Sequence, residues 1–199
     1  DLIEFYDGFY AINFPDIIFA DKVILYEGDT ERMLIKNVLL SDRFETLRNQ
    51  YISFVQVGGA YAIKYKPILE YLNVKSLIIT DLDYKTEAKT EADVRQSSST
   101  NATINTFAAE ALSDAAPTVE TLYSWKDSSG CIVSNNICLE FQGQTDGYAR
   151  TLEEAMLAKR YNVSALDTKT KEEWTILRKN DKLMFVIPVS YTHLTLPTT

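Results

Sequence analysis

The sequence predicts an α/β domain whose mostly parallel sheet is flanked by helices, with a helical insertion. Three observations carry that prediction. Short apolar runs alternate with segments of helical spacing in the order strand, helix, strand, helix, strand, which defines right-handed βαβ crossovers. The first three runs end in Glu27, in Gly58-Gly59 and in Asp81-Leu82-Asp83, where sheets of this kind place their ligand sites. The chain has 199 residues and is 46% hydrophobic, enough for one well-buried core.

Each element has its own signal. Residues 1–20 mix aromatics with Asp and Pro15 and read as a lead-in that packs on the core. Lys22 to Tyr26 (KVILY) is a short apolar run before a turn, hence a buried strand. A helix opens near Asp29, which with Thr30 is a candidate cap, and runs to about Leu40 with Met33, Leu34, Val38 and Leu39 as its apolar stripe. Ile52 to Val57 (ISFVQV) is a second strand, ended by Gly58-Gly59. Tyr61 to Leu72 has helical spacing, interrupted by Pro67. Ser76 to Thr80 (SLIIT) is a third strand. Residues 84–103 are rich in Lys, Thr, Glu and Ser, and predict a mobile loop. Residues 104–125 are helical around a break at Pro117, and Ile137 to Phe141 is a further strand. Thr151 caps a helix to Tyr161, with Glu154 at the capping-box position. A helix over Lys169 to Lys179 and a strand over Leu183 to Ile187 complete the pattern. The expected organisation is a lead-in (1–20) and a domain over 21–188 with its helical insertion at about 104–130. The tail, 189–199, resembles translated sequencing-adaptor read-through and is set aside. The chain opens at Asp1 in mid-pattern, as an excised or incomplete protein would.

Composition removes several classes of function. No apolar run approaches the roughly 18 residues of a membrane span, and no secretory leader is visible, so a cytoplasmic protein is expected. The single histidine, His193, lies in the tail, which argues against a histidine zinc site or a Ser-His-Asp triad. Cys131 and Cys138 lack metal-ligand spacing and are expected to be reduced thiols. The net charge of −8 is the wrong sign for a surface that grips phosphates without sequence preference. An acidic metal site fits that charge if another domain or subunit holds the nucleic acid.

The acidic residues at the strand ends suit magnesium, which takes hard oxygen ligands, one or two carboxylates among them. Asp81 and Asp83 are two apart, and in extended backbone that spacing turns both carboxylates to one side. Glu27 ends a buried strand, where a carboxylate needs solvent or a partner. Glu31 is open to two readings, a favourable charge at the positive end of its helix or a second metal ligand. Gly58-Gly59 either makes a turn or lets backbone approach a phosphate.

Taken together, KVILYEGDTERML, FVQVGG and SLIITDLD resemble the three motifs of the TOPRIM domain, in order and at suitable spacing. The form E-G-D-T-E, then V-G-G, then I-T-D-L-D is most similar to the nucleases of the OLD (overcoming lysogenization defect) family, and YARTLEEAM resembles an acidic helix motif of the same family. The resemblance covers residues 20–85 and 147–158. It implies a TOPRIM-like, Rossmann-like fold and a DNA endonuclease of a bacterial or phage-defence protein. It also implies phosphodiester hydrolysis with two Mg²⁺ or Mn²⁺ ions about 4 Å apart. By position, Glu27 is implied as a metal ligand or as a general base acting through water, and Asp81 and Asp83 as magnesium ligands. Glu31 and Glu153 are implied to complete the second ion's shell, with Glu154 as the alternative to Glu153.

Two features of that family are missing. Its lysine beyond the last strand has no clear counterpart, Lys179 and Lys182 being poor candidates. No G-x-x-x-x-G-K-[ST] loop occurs, so ATP enters only through an ATPase domain elsewhere in a parent protein. A homodimer through residues 104–145 is compatible with the sequence. The alternatives are another TOPRIM enzyme of primase or topoisomerase type, or a non-catalytic α/β phosphoacceptor or binding domain in which Asp81 is the acceptor. Topoisomerase chemistry needs a nucleophilic tyrosine, and none of the twelve here stands apart by context.

Overall fold

A computed structural model describes residues 14–167 apart from 58, 86, 115 and 130. Gly58, Lys179, Lys182, His193, the expected helix over 169–179, the expected strand over 183–187 and the tail lie outside the described residues.

Among the described residues the fold is α/β, with five strands in the order β2-β1-β3-β5-β4. The strands are β1 (Lys22–Tyr26), β2 (Ile52–Gln56), β3 (Lys75–Ile79), β4 (Ile132–Ser134) and β5 (Ile137–Glu140). β1 pairs in parallel with β2 and β3, and β3 in parallel with β5, while β4 runs antiparallel at the edge. Successive strand residues face opposite sides, so β1 serves two cores. Val23 and Leu25 join the large core with Ile78, Ile137 and Leu139. Ile24 and Tyr26 face the other side, where Ile35 of the helix α2 (Asp29–Leu39) covers them.

On the large-core side lie α1 (Phe14–Ile18), through buried Ile17, and α4 (Lys66–Tyr71), through buried Leu69. A short helix α3 (Glu45–Arg48) precedes β2. Pro67 stands in the first turn of α4, after a 3₁₀ segment over Gly59–Tyr65, instead of interrupting one long helix. Proline lacks only an N–H that a first turn leaves unpaired, so the break falls before it.

Within the stretch expected as a loop, 84–103, the structure has a helix and two helix caps. Thr90 caps α5 (Glu91–Gln96) and forms a capping box with Asp93, and Asn101 caps α6 (Ala102–Leu112). Pro117 separates α6 from α7 (Val119–Ser129). Ile104, Phe107, Leu122 and Tyr123 belong to the same core as the sheet, so these helices form one of its covering layers.

The cysteine expectation is corrected. Cys131 and Cys138 are joined as a disulfide across the β4–β5 hairpin. Val133 pairs with Cys138, which folds the chain back on itself and leaves the two Cα atoms 6.3 Å apart, within disulfide reach. No helix among the described residues is long and apolar enough to cross a membrane.

The last described helix, α8 (Leu152–Tyr161), is seated by Gly147. That residue has φ +72°, and a Cβ there would lie 3.1 Å from the Ala158 Cβ and 3.2 Å from the Val163 carbonyl oxygen. Gly147→Ala combines left-handed strain with a clash beneath α8, and is expected to cost roughly 1–3 kcal/mol. Urea unfolding checks this, and a variant as stable as the parent would show that α8 is seated otherwise.

Candidate metal centre

Register brings the acidic residues to one edge. Tyr26 of β1 pairs with Ile79 of β3, so the residues that follow them, Glu27 and Thr80, stand side by side. The Thr80 hydroxyl donates to Glu27 Oε1. Ile79 pairs in turn with Glu140 of β5, which brings Gln142 beside the D-L-D loop. Gln142 Nε2 donates to Asp81 Oδ1 at 2.8 Å, and Leu82 N donates back to Gln142 Oε1 at 2.7 Å.

Helix starts supply the remaining pieces. Gly28 is the N-cap of α2, where Asp29 or Thr30 was expected, and its backbone is extended (φ −137°), open to any residue. Glycine matters there for space, since a Cβ would lie 3.1 Å from Glu31 Oε2. That oxygen reaches back to accept from Gly28 N at 2.9 Å. Glu31 is buried, and burial, with Glu153 and Glu27 nearby, raises its pKa. Leu152 N, in the first turn of α8, donates to Asp81 Oδ1 at 2.9 Å. A free helix N–H is a natural anion donor, and the helix dipole adds to it.

Asp81 is the centre of this arrangement. Desolvation is the main cause that lifts its pKa to about 8, with Glu153 and Glu31 adding to the rise, while Leu152 N and Gln142 act in the opposite direction. Both hydrogen bonds to Asp81 fall on Oδ1, and both to Glu27 fall on Oε1. Oδ2 of Asp81 and Oε2 of Glu27 have no hydrogen-bond donor among the described residues.

The two candidates from the α8 motif separate. Glu154 Oε2 accepts from Arg150 N at 2.8 Å and Glu154 N donates to the cap Thr151 Oγ1 at 3.3 Å, so Glu154 serves the helix start. Glu153 is the one whose charge acts on Asp81 and Glu31. Asp83 is placed differently from the others. It has φ +48°, so the same-side rule for residues two apart does not apply to it. Its Oδ1 lies 3.9 Å from Arg150 Nη2, and burial raises its pKa while Arg150 lowers it.

Sequence reasoning passed over the residues that hold this loop. All three of its carbonyls are occupied: Asp81 O accepts from Asn101 Nδ2 at 3.1 Å, Leu82 O from Ser99 Oγ at 2.6 Å and Asp83 O from Thr100 N at 2.9 Å. The available signal was Asn101 itself, a strong N-cap residue before an apolar-periodic stretch.

The donor set fits magnesium or manganese: hard carboxylate oxygens, two of them unclaimed, in a place where like charges repel. No three carboxylates among the described residues bring an oxygen each within 4.8 Å of one another. As placed, no more than two of these carboxylates reach one ion directly, and water would fill the rest of its shell.

A parallel sheet with Glu-Gly after one strand and Asp-x-Asp after its neighbour is consistent with a TOPRIM-like, Rossmann-like fold. Residues 18–83 match the family model described as "Overcoming lysogenization defect protein-like, TOPRIM domain". The chain is also similar to the endonuclease GajA of Bacillus cereus (strain HuB5-5), at 29% identity over 164 residues. That match takes in 79% of this chain and 22% of the GajA protein, so the chain spans less than a quarter of that relative's length.

The raised pKa of Asp81 has a consequence for stability. A carboxyl with an ordinary value of 3.8 that titrates near 8 when folded favours the fold below about pH 4. That contribution is lost as the pH rises toward 8, because ionisation is easier in the unfolded chain. In EDTA, Asp81→Asn is therefore expected to flatten the fall in Tm between pH 5 and pH 8. Parallel Tm curves for variant and parent would contradict this.

Proposed function

We propose that this chain carries the catalytic centre of a metal-dependent DNA endonuclease that hydrolyses phosphodiester bonds. The observation that carries this reading is the pair of half-engaged carboxylates, Glu27 and Asp81, at adjacent parallel strand ends in an OLD-like TOPRIM domain. The similarity to a protein named an endonuclease supports the reaction class.

Glu27, Glu31, Asp81, Asp83 and Glu153 are the residues that would surround two Mg²⁺ or Mn²⁺ ions, part of them through bound water. Bound there, the ions supply Lewis acidity at the scissile phosphate and lower the pKa of water. Glu27 is oriented by Thr80 and Asn101 through Oε1, which leaves Oε2 as the oxygen that would reach a cation. Asp81 is oriented by Leu152 N and Gln142 through Oδ1, so Oδ2 is the oxygen that would reach a cation. Asp83, beside Arg150, lies at the border of the centre, where the guanidinium also offers a donor to a phosphate. The net charge of −8 favours a DNA grip supplied by another part of a longer protein or by a second copy. With no G-x-x-x-x-G-K-[ST] loop in this sequence, any ATP dependence would come through an ATPase domain.

Two measurements test the reading. With Mg²⁺ or Mn²⁺ and supercoiled plasmid, Glu27→Ala and Asp81→Ala in the full-length parent protein are each expected to slow nicking by at least about 100-fold. An active parent whose nicking survives both substitutions would refute the assignment. Gly28→Ala presses on Glu31 without straining the backbone. It is expected to weaken Mn²⁺ binding by up to about tenfold while leaving the metal-free Tm nearly unchanged, as read by calorimetry.

A further inference from the structure

Asn101 joins two structures that the sequence keeps far apart. Its side chain is almost fully buried, at 3% exposure. Oδ1 accepts from Thr103 N at 3.0 Å and from Ile104 N at 3.3 Å, so it caps the eleven-residue helix α6. With the oxygen committed to the helix, the amide nitrogen must face the other way, and the O/N assignment follows from the partners. Nδ2 lies 3.2 Å from Glu27 Oε1, 2.7 Å from Thr80 Oγ1 and 3.1 Å from the Asp81 carbonyl oxygen. Thr80 donates its single hydroxyl proton to Glu27 and therefore accepts from Asn101. The two amide hydrogens thus serve three oxygens around one carboxylate.

We propose that Asn101 is a positioning residue of the metal centre, fixing which oxygen of Glu27 is left open to the cation. The inference rests on the reading that Glu27 and Asp81 hold a divalent ion. Asn101 acts through Glu27 and the Asp81 backbone and touches no ion itself. It draws Oε1 toward β3, which leaves Oε2 as the free ligand. The same amide locks the loop after β3 to the start of α6, so Glu27 and Asp81 keep a fixed separation. A cap alone requires none of this, because aspartate or serine would cap α6 as well.

The test uses that equivalence. In the full chain, Asn101→Ser keeps an N-cap oxygen and removes the amide donor. Mn²⁺ binding by calorimetry is expected to weaken roughly 10- to 100-fold, the range for losing a partner that orients a metal ligand. The metal-free Tm is expected to move by only a few degrees. Thr80→Val removes the middle of the relay from the other side, and is expected to give the same loss even if the Asn101 variant folds poorly. The double variant is expected to be no weaker in Mn²⁺ binding than the worse single one, because both break one chain. Unchanged Mn²⁺ affinity in both single variants overturns the inference and leaves the metal-site reading intact. A large fall in metal-free Tm with normal Mn²⁺ affinity reduces Asn101 to a structural cap and also overturns it. No Mn²⁺ binding by the unmodified chain removes the metal-site reading, and this inference with it.

Discussion

The repulsion between carboxylates gathered at one edge of the sheet is the constraint around which the rest of the structure is arranged. Burial raises the pKa of Glu31 and of Asp81, and neighbouring charge adds to it: Glu153 and Glu27 act on Glu31, and Glu153 and Glu31 on Asp81. A fold that only needed stability would have dispersed them. This one holds them with neutral donors: a hydroxyl, two side-chain amides and two backbone N–H groups. Such donors orient a carboxylate without cancelling its charge. For Glu27 and Asp81 they also occupy only one oxygen each. The result is a partly satisfied anionic site, which a cation would complete in the proposed nuclease. Any cation that binds there stabilises the fold by the same free energy, since an unfolded chain offers no comparable site.

The sheet makes that concentration of charge achievable. In a parallel arrangement every strand's carboxyl end points the same way, and here β1, β2, β3 and β5 all do so. Side chains one or two residues past a strand stand clear of the apolar layers, so charge gathers there without entering the core. The large core on one face and the smaller α2-covered core on the other fix the strands beneath. The last donor to Asp81 comes from α8, whose seat depends on the left-handed Gly147.

Much of this was legible because it is local. KVILY and SLIIT announce buried strands by composition alone, and the acidic residues follow them directly in sequence. The crossover pattern then orders the strands. What escaped was set by distant partners. The polar stretch QSSSTNAT has the composition of a loop, and only the carbonyls of the D-L-D loop, some twenty residues earlier, turn it into a hydrogen-bonded clamp. Gln142 earns its role from the β3–β5 register, which no local pattern encodes. The disulfide follows from the β4–β5 hairpin, and β4, with three residues, gives too short a signal to be read. Asp83 shows the limit of periodicity: the alternation rule holds inside a strand, and β3 stops at Ile79.

The same long-range logic bears on how the centre meets DNA. A site that collects carboxylates repels a phosphate backbone until a cation is present, so in the proposed nuclease metal occupancy and substrate approach are linked electrostatically. Arg150 is the one guanidinium that the described residues place against the acidic loop, and it is pinned there by Asp83 and by the Tyr84 carbonyl. One cation offsets little of a −8 chain. In the proposed nuclease, affinity for a polyanion would come from basic surface outside this segment, while the segment would supply geometry and chemistry. A centre built this way would cut only where another surface has already placed the strand, a useful restraint on an enzyme with little intrinsic grip of its own.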